Sequence, residues 1–131
     1  MNILRKSTAP RYRRQEGITS YLLASARTCA AGHLTTTLVD IESGGQQRIH
    51  SHAPEQVYFI LEGGGMMTVG DDTEEVQQGD CVFVPSGSPH GIRNHTTHVL
   101  RYLSAAAPAF TDAELVSFWP LESEAEEADG T

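Results

Sequence analysis

The chain has 131 residues, enough for one domain whose core needs no disulfide or structural metal to stand. Nine Lys and Arg against 17 Asp and Glu give a net charge of −8, which argues against nucleic acid or an anionic membrane as partner. No apolar run approaches the ~18 residues of a membrane span. The two cysteines, Cys29 and Cys81, form no CxxC pair, so reduced thiols in a cytoplasmic protein are expected.

In chain order, residues 1–17 read as a basic, solvated arm carrying Arg5, Lys6, Arg11, Arg13 and Arg14. Residues 18–120 read as the folded domain. Within it, Ile18 to Arg27 and His33 to Glu42 are rich in β-branched and apolar residues and are predicted strands. Gly44-Gly45 predicts a turn, and Gln46 to His52 a polar, alternating strand. Gln56 to Leu61 is a strong β run ending at Gly63-Gly64-Gly65. Met66 to Val69 and Thr73 to Gln77 flank Gly70-Asp71-Asp72, a hairpin signal. Cys81 to Val84, Gly91 to Arg93 and Thr97 to Leu103 complete about ten short strands, the pattern of an all-β sandwich or barrel. Only Thr111 to Phe118 reads as helix, with Thr111 as N-cap and Glu114 in the capping-box position. Residues 121–131 hold five acids and no base, and read as an acidic, disordered tail.

The chemistry-bearing residues fall in two blocks. The first is Gly44-x5-His50-x-His52-x3-Gln56-x6-Gly63; the second is Gly79-x5-Pro85-x-Gly87-x2-His90-x3-Asn94. Imidazoles at i and i+2 on a strand share one face, and neutral imidazole is the commonest ligand for Zn, Cu, Fe and Ni. By the same parity Gln46, Arg48, Gln56, Tyr58 and Ile60 should face inward and Glu55 outward. Tyr58 is then a candidate general acid/base or a hydrogen-bonding wall. Arg48 would either bind a substrate carboxylate or sit solvated at the barrel mouth. Arg101 is a weaker candidate, and His95 and His98 are expected at the surface. Phe59, Met66, Met67, Phe83 and Val84 read as core, and Cys81 as a buried small hydrophobe. Gly63-Gly64-Gly65 is no phosphate loop, since neither a Lys-Ser/Thr pair nor a helix follows.

These blocks resemble the paired motifs of the cupin superfamily, with Gln56 standing where the first motif has glutamate. The resemblance covers residues 44–94. It implies an all-β, double-stranded β-helix (jelly-roll) barrel holding one divalent ion (Fe, Mn, Ni or Zn) on His50, His52, Gln56 and His90. For Asn94 it implies a backbone-bonding role in a turn. The ligand set is similar to that of small cupins acting on uronate-type sugars, although residues 103–109 carry no charge where those enzymes place functional groups. The expected function is a metalloenzyme performing lyase or isomerase chemistry on a small carboxylate- or sugar-derived molecule, with Tyr58 and Arg48 as catalytic residues. A metal-dependent dioxygenase and a non-catalytic binding module are the alternatives. Small cupins commonly dimerise, so a homodimer is expected, with Phe118 and Trp119 either at its interface or sealing the barrel.

Overall fold

The structure, a computed structural model, describes residues 1–118. The expected acidic tail and Trp119 lie outside the described residues, as does the side chain of Phe118. Ten strands and two short helices follow in the order β1 (Arg11–Arg14), β2 (Ile18–Leu22), α1 (Ala26–Cys29), β3 (Thr35–Ile41), β4 (Gln46–His50), β5 (Glu55–Glu62), β6 (Gly64–Val69), β7 (Asp72–Gln77), β8 (Cys81–Val84), β9 (His90–Arg93), β10 (Leu100–Ala107) and α2 (Asp112–Phe118). The strands form two antiparallel sheets, β1-β2-β3-β10-β5-β8 and β4-β9-β6-β7. This is the expected all-β jelly roll with a short C-terminal helix.

Alternation along each strand sends one set of side chains between the sheets. On β5 the buried set is Gln56, Tyr58 and Ile60; on β10 it is Leu100, Tyr102, Ser104 and Ala106. Of these, Tyr58, Ile60, Leu100 and Tyr102 join Ile18, Val39, Ile41, Met67, Val76, Val84 and Ile92 in the main core. A fully buried aliphatic side chain of this kind contributes roughly 1.5–3 kcal/mol. A second cluster, Leu22, Ala106, Phe110 and Leu115, fastens α2 to one end of the barrel. That helix starts as its sequence predicts: the Glu114 amide donates to Thr111 Oγ1 (3.2 Å) and the Thr111 amide to Glu114 Oε1 (2.9 Å).

Several expectations change. The stretch Ile18 to Arg27 is not one strand. Ser25 caps a single helical turn, its Oγ accepting from the Thr28 amide at 3.0 Å. The basic segment is not wholly a free arm, because Arg11–Arg14 pairs with β2 from Arg11↔Tyr21 to Arg14↔Ile18. Phe59, Phe83 and Cys81 are exposed on the outer face of β5 and β8, whereas Met67 and Val84 are core. The hairpin at Gly70-Asp71 joins β6 to β7, with Val69 opposite Asp72.

Strand β4 carries the irregularity that shapes the site. Gln47 pairs with Ile92 and His50 with His90, so two residues of β4 oppose the single Gly91 of β9. An extra residue of this kind is a β-bulge, which reverses side-chain parity beyond it. Gly91 is what lets the bulged strand come this close. A Cβ there would stand 2.7 Å from the Gln47 carbonyl oxygen and 3.0 Å from the Ile49 amide nitrogen.

Candidate functional site

Three imidazoles meet between the sheets. His50 ends β4, His90 opens β9 opposite it, and His52 sits in the loop between β4 and β5 rather than on the strand. That loop is tied down by the turn before β9: the Gly87 amide donates to the His52 carbonyl at 2.9 Å, and the Ser86 hydroxyl donates to the Ala53 carbonyl. Ring centroids are 4.3 Å apart for His50–His90, 4.8 Å for His52–His90 and 5.5 Å for His50–His52. One nitrogen from each ring lies within 4.8 Å of the others.

The protons on these rings are placed by the main chain. His50 Nδ1 faces the Arg48 carbonyl, His52 Nδ1 the Pro54 carbonyl and His90 Nδ1 the Ser88 carbonyl, each at 2.9 Å. A carbonyl only accepts, so each Nδ1 donates and each neutral ring keeps a bare lone pair on Nε2. This is the orientation that metal-ligating histidines take. His90 is fully buried and its Nε2 has no hydrogen-bond partner. A buried, unsatisfied acceptor costs roughly 1–3 kcal/mol, which a cation at that position would offset. The three histidines therefore fit a metal ion. Burial favours the neutral form of two of them: it drives His90 down to about 4, helped by repulsion from His50 and His52 and opposed by the Ser88 carbonyl. Burial likewise lowers His50, against the pull of the Arg48 carbonyl.

Gln56 stands beside the cluster. Its Nε2 donates to Ser104 Oγ at 3.1 Å, and Ser104 in turn shares a 2.5 Å hydrogen bond with Thr37. This relay turns Gln56 Oε1 toward His52 Nε2, 3.0 Å away. With the His52 proton on Nδ1, two acceptors face each other. Such a pair needs a proton or another cation between them.

The cavity in front of the cluster measures about 160 Å³, close to the size of an engineered cavity that accepts benzene. Its lining includes His50, His52, Gln56, Tyr58, Tyr102 and Phe110. Tyr58 stacks on Tyr102 (4.5 Å between centroids, 11° between planes) and stands edge-on to His90 at 5.9 Å. Burial pushes the Tyr58 phenol well above its ordinary value, although Tyr102 and the charge on Arg14 pull the other way. Tyr58 is thus protonated at neutral pH rather than a phenolate.

Arg48 does not join them. Its side chain is 72% exposed and pairs with Glu16 at 3.1 Å, because the bulge turns Gln47 inward in its place. Gln46 is also exposed. Arg101 lies on the outer side of β10, held by Asp40 (2.6 Å) and Glu62 (2.9 Å). Glu55, His95 and His98 are exposed as expected. Asn94 is buried and bonds the backbone around it: Nδ2 donates to the Ile41 and His98 carbonyls (3.0 and 2.7 Å), and Oδ1 accepts from the Thr96 amide (3.0 Å). Sequence reasoning missed Arg14 and Gln47, and also Tyr102 and Ser104. Alternation along β10 would have found the last two once Leu100 was taken as buried.

Two antiparallel sheets closed around three inward-facing histidines define a double-stranded β-helix protein with a candidate metal centre. The chain belongs to the cupin family: the cupin domain matches residues 37–106. An uncharacterized protein of Methanocaldococcus jannaschii, MJ1618, is 34% identical over 76 residues, 56% of this chain and 61% of that one. The dimethylsulfoniopropionate lyase DddQ of Ruegeria pomeroyi is 32% identical over 75 residues, 56% of this chain and 37% of the lyase. The chain thus spans less than two thirds of either relative. An RmlC-like cupin from Shewanella frigidimarina has the same fold, with TM-score 0.74 at 19% identity over 86% of this chain and 96% of that one. Among the described residues no helix is long and apolar enough to cross a membrane.

Proposed function

We propose that the protein is a metalloenzyme in which His50, His52, His90 and Gln56 hold one divalent ion, and that it performs lyase or isomerase chemistry on a small carboxylate- or sugar-derived substrate. The observation that carries this reading is the orphaned, buried His90 Nε2 in a cluster where one nitrogen from each of three imidazoles lies within 4.8 Å of the others. The facing pair of Gln56 Oε1 and His52 Nε2 supports a fourth ligand there. Fe, Mn, Ni and Zn all accept imidazole nitrogen. With a carboxamide in place of a carboxylate, the four ligands leave the ion's full +2 charge in the pocket. Such an ion supplies a Lewis acid to a substrate oxygen.

Tyr58 is the proton donor of this reading. Buried and protonated at the cavity wall, it delivers a hydrogen bond or a proton to the substrate, and the stacked Tyr102 fixes its plane. The similarity to a dimethylsulfoniopropionate lyase supports elimination-type chemistry. A cytoplasmic setting fits the two free cysteines, one of them exposed. A homodimer would cover the outer face of β5 and β8, where Phe59, Leu61 and Phe83 are exposed.

Elemental mass spectrometry on protein purified without chelator tests the metal reading. Near one equivalent of Fe, Mn, Ni or Zn in the wild type, absent from His52→Ala, is expected. No metal in the wild type even after reconstitution refutes the metalloenzyme and leaves a small-molecule binding module. Tyr58→Phe should keep the metal and lose turnover; full turnover would remove Tyr58 from the reaction.

A further inference from the structure

Arg14 lines the cavity together with Gln47, its guanidinium 3.4 Å from Gln47 Oε1. It reaches the cavity because β1 pairs onto β2, and Gln47 does so because the β4 bulge turns it inward. Arg14 is the cation that lines this cavity, and its partners differ from those of the ion-paired cations of the barrel. Lys6, Arg13, Arg48 and Arg101 are each paired with a carboxylate, whereas the described contacts of Arg14 are the Gln47 amide and the Tyr12 ring, 5.6 Å away. Among the described residues no Asp or Glu lines the cavity. A half-buried guanidinium with no carboxylate partner among the described residues is a ready site for an anion.

We infer that Arg14 and Gln47 form the anion-binding half of the pocket, so that the substrate is a small carboxylate anchored there while its other end reaches the histidine cluster. The inference rests on the reading of this cavity as the substrate site and names the class of molecule it takes. The planar guanidinium suits two-point contact with a carboxylate, and the Gln47 amide adds a neutral polar contact beside it. The cavity volume of about 160 Å³ limits the ligand to a few heavy atoms. Arg14 would act as a positioning and specificity residue that selects anions over neutral analogues.

The test is calorimetric titration of acetate, glycolate and malonate, and of their amides, into EDTA-treated full-length protein at pH 8 and low salt. At least one of the carboxylates should bind and its amide should not. Arg14→Ala should weaken that binding roughly 10- to 100-fold, the effect of one charge-assisted contact, while Arg14→Lys restores part of it. Arg48→Ala should bind as the wild type does. No carboxylate bound by the wild type, or equal binding by Arg14→Ala, overturns the inference. Metal content of the same variants is read separately. Wild-type metal in Arg14→Ala with lost carboxylate binding supports both readings. Carboxylate binding that depends on Arg14 in a protein that takes up no metal sustains the inference and sinks the metalloenzyme.

Discussion

Removing the titratable group at His90 should flatten the stability of the metal-free protein at acid pH. Burial lowers this imidazole from its ordinary 6.5 to about 4, so between those values the unfolded chain binds more protons than the folded one. Stability therefore rises with pH across that window. It is fully present above pH 6.5 and lost as the pH falls through 4. At 1.36 kcal/mol per pH unit the full window is worth about 3 kcal/mol. His50 is lowered for the same reason and adds to the slope in the same direction. Urea unfolding followed by circular dichroism, in EDTA, at steps from pH 7.5 to 4, measures it. Wild type should lose about 3 kcal/mol more over this range than His90→Gln, since carboxylate titrations are common to both and cancel. Saturating Zn²⁺ should steepen the wild-type curve, because the ion needs the imidazoles neutral. Parallel wild-type and variant curves in EDTA would refute the idea that this ring is held neutral by burial.

Asn94→Ala removes a side chain that bonds three backbone groups, and should cost about 2–4 kcal/mol, read as a lower urea midpoint at unchanged slope. Gly91→Ala puts a Cβ 2.7 Å from the Gln47 carbonyl oxygen and should force the β4 bulge open, costing about 1–3 kcal/mol and lowering metal uptake. Arg101→Ala should lower stability at neutral pH and leave it little changed in acid, where Asp40 is protonated. Burial raises the Asp40 carboxyl, but Arg101 and Lys6 outweigh it and hold the group below the usual carboxylate range. The stability this carries is present above pH ~4 and lost as the pH falls through the lower folded value. In the variant the stability difference between neutral and acid pH should therefore shrink, while metal content stays as in the wild type.

What could be read from the chain follows from periodicity. Strand alternation placed Gln56, Tyr58 and Ile60 inside and Glu55 outside, and the same alternation already implied that Phe59 faces out. Treating Phe59 and Phe83 as core followed hydrophobicity where parity pointed the other way. Arg48 was misplaced because parity fails across a bulge, and the sign of the bulge lies in Gly91, which is distant from Arg48 in sequence. Arg14 was invisible for a related reason. Its place at the cavity depends on contact with Gln47, 33 residues away, and a run of basic residues reads locally as a solvated arm. His52 reached the cluster although it left the strand, because the Ser86-Gly87 turn holds its loop.

The three rings of the cluster are aimed by main-chain carbonyls, each two residues from its histidine. A point substitution can delete a side-chain partner but not a peptide oxygen. The identities of Arg48, Pro54 and Ser88 can thus vary, so long as the local backbone path is kept, without unseating an imidazole. The centre is in this sense insulated from its own walls. Arg14, Gln47 and Phe110 come from three different segments and form the part of the cavity that can be rewritten. A laboratory selection for new substrates should find its gains there, with the three histidines left as they are.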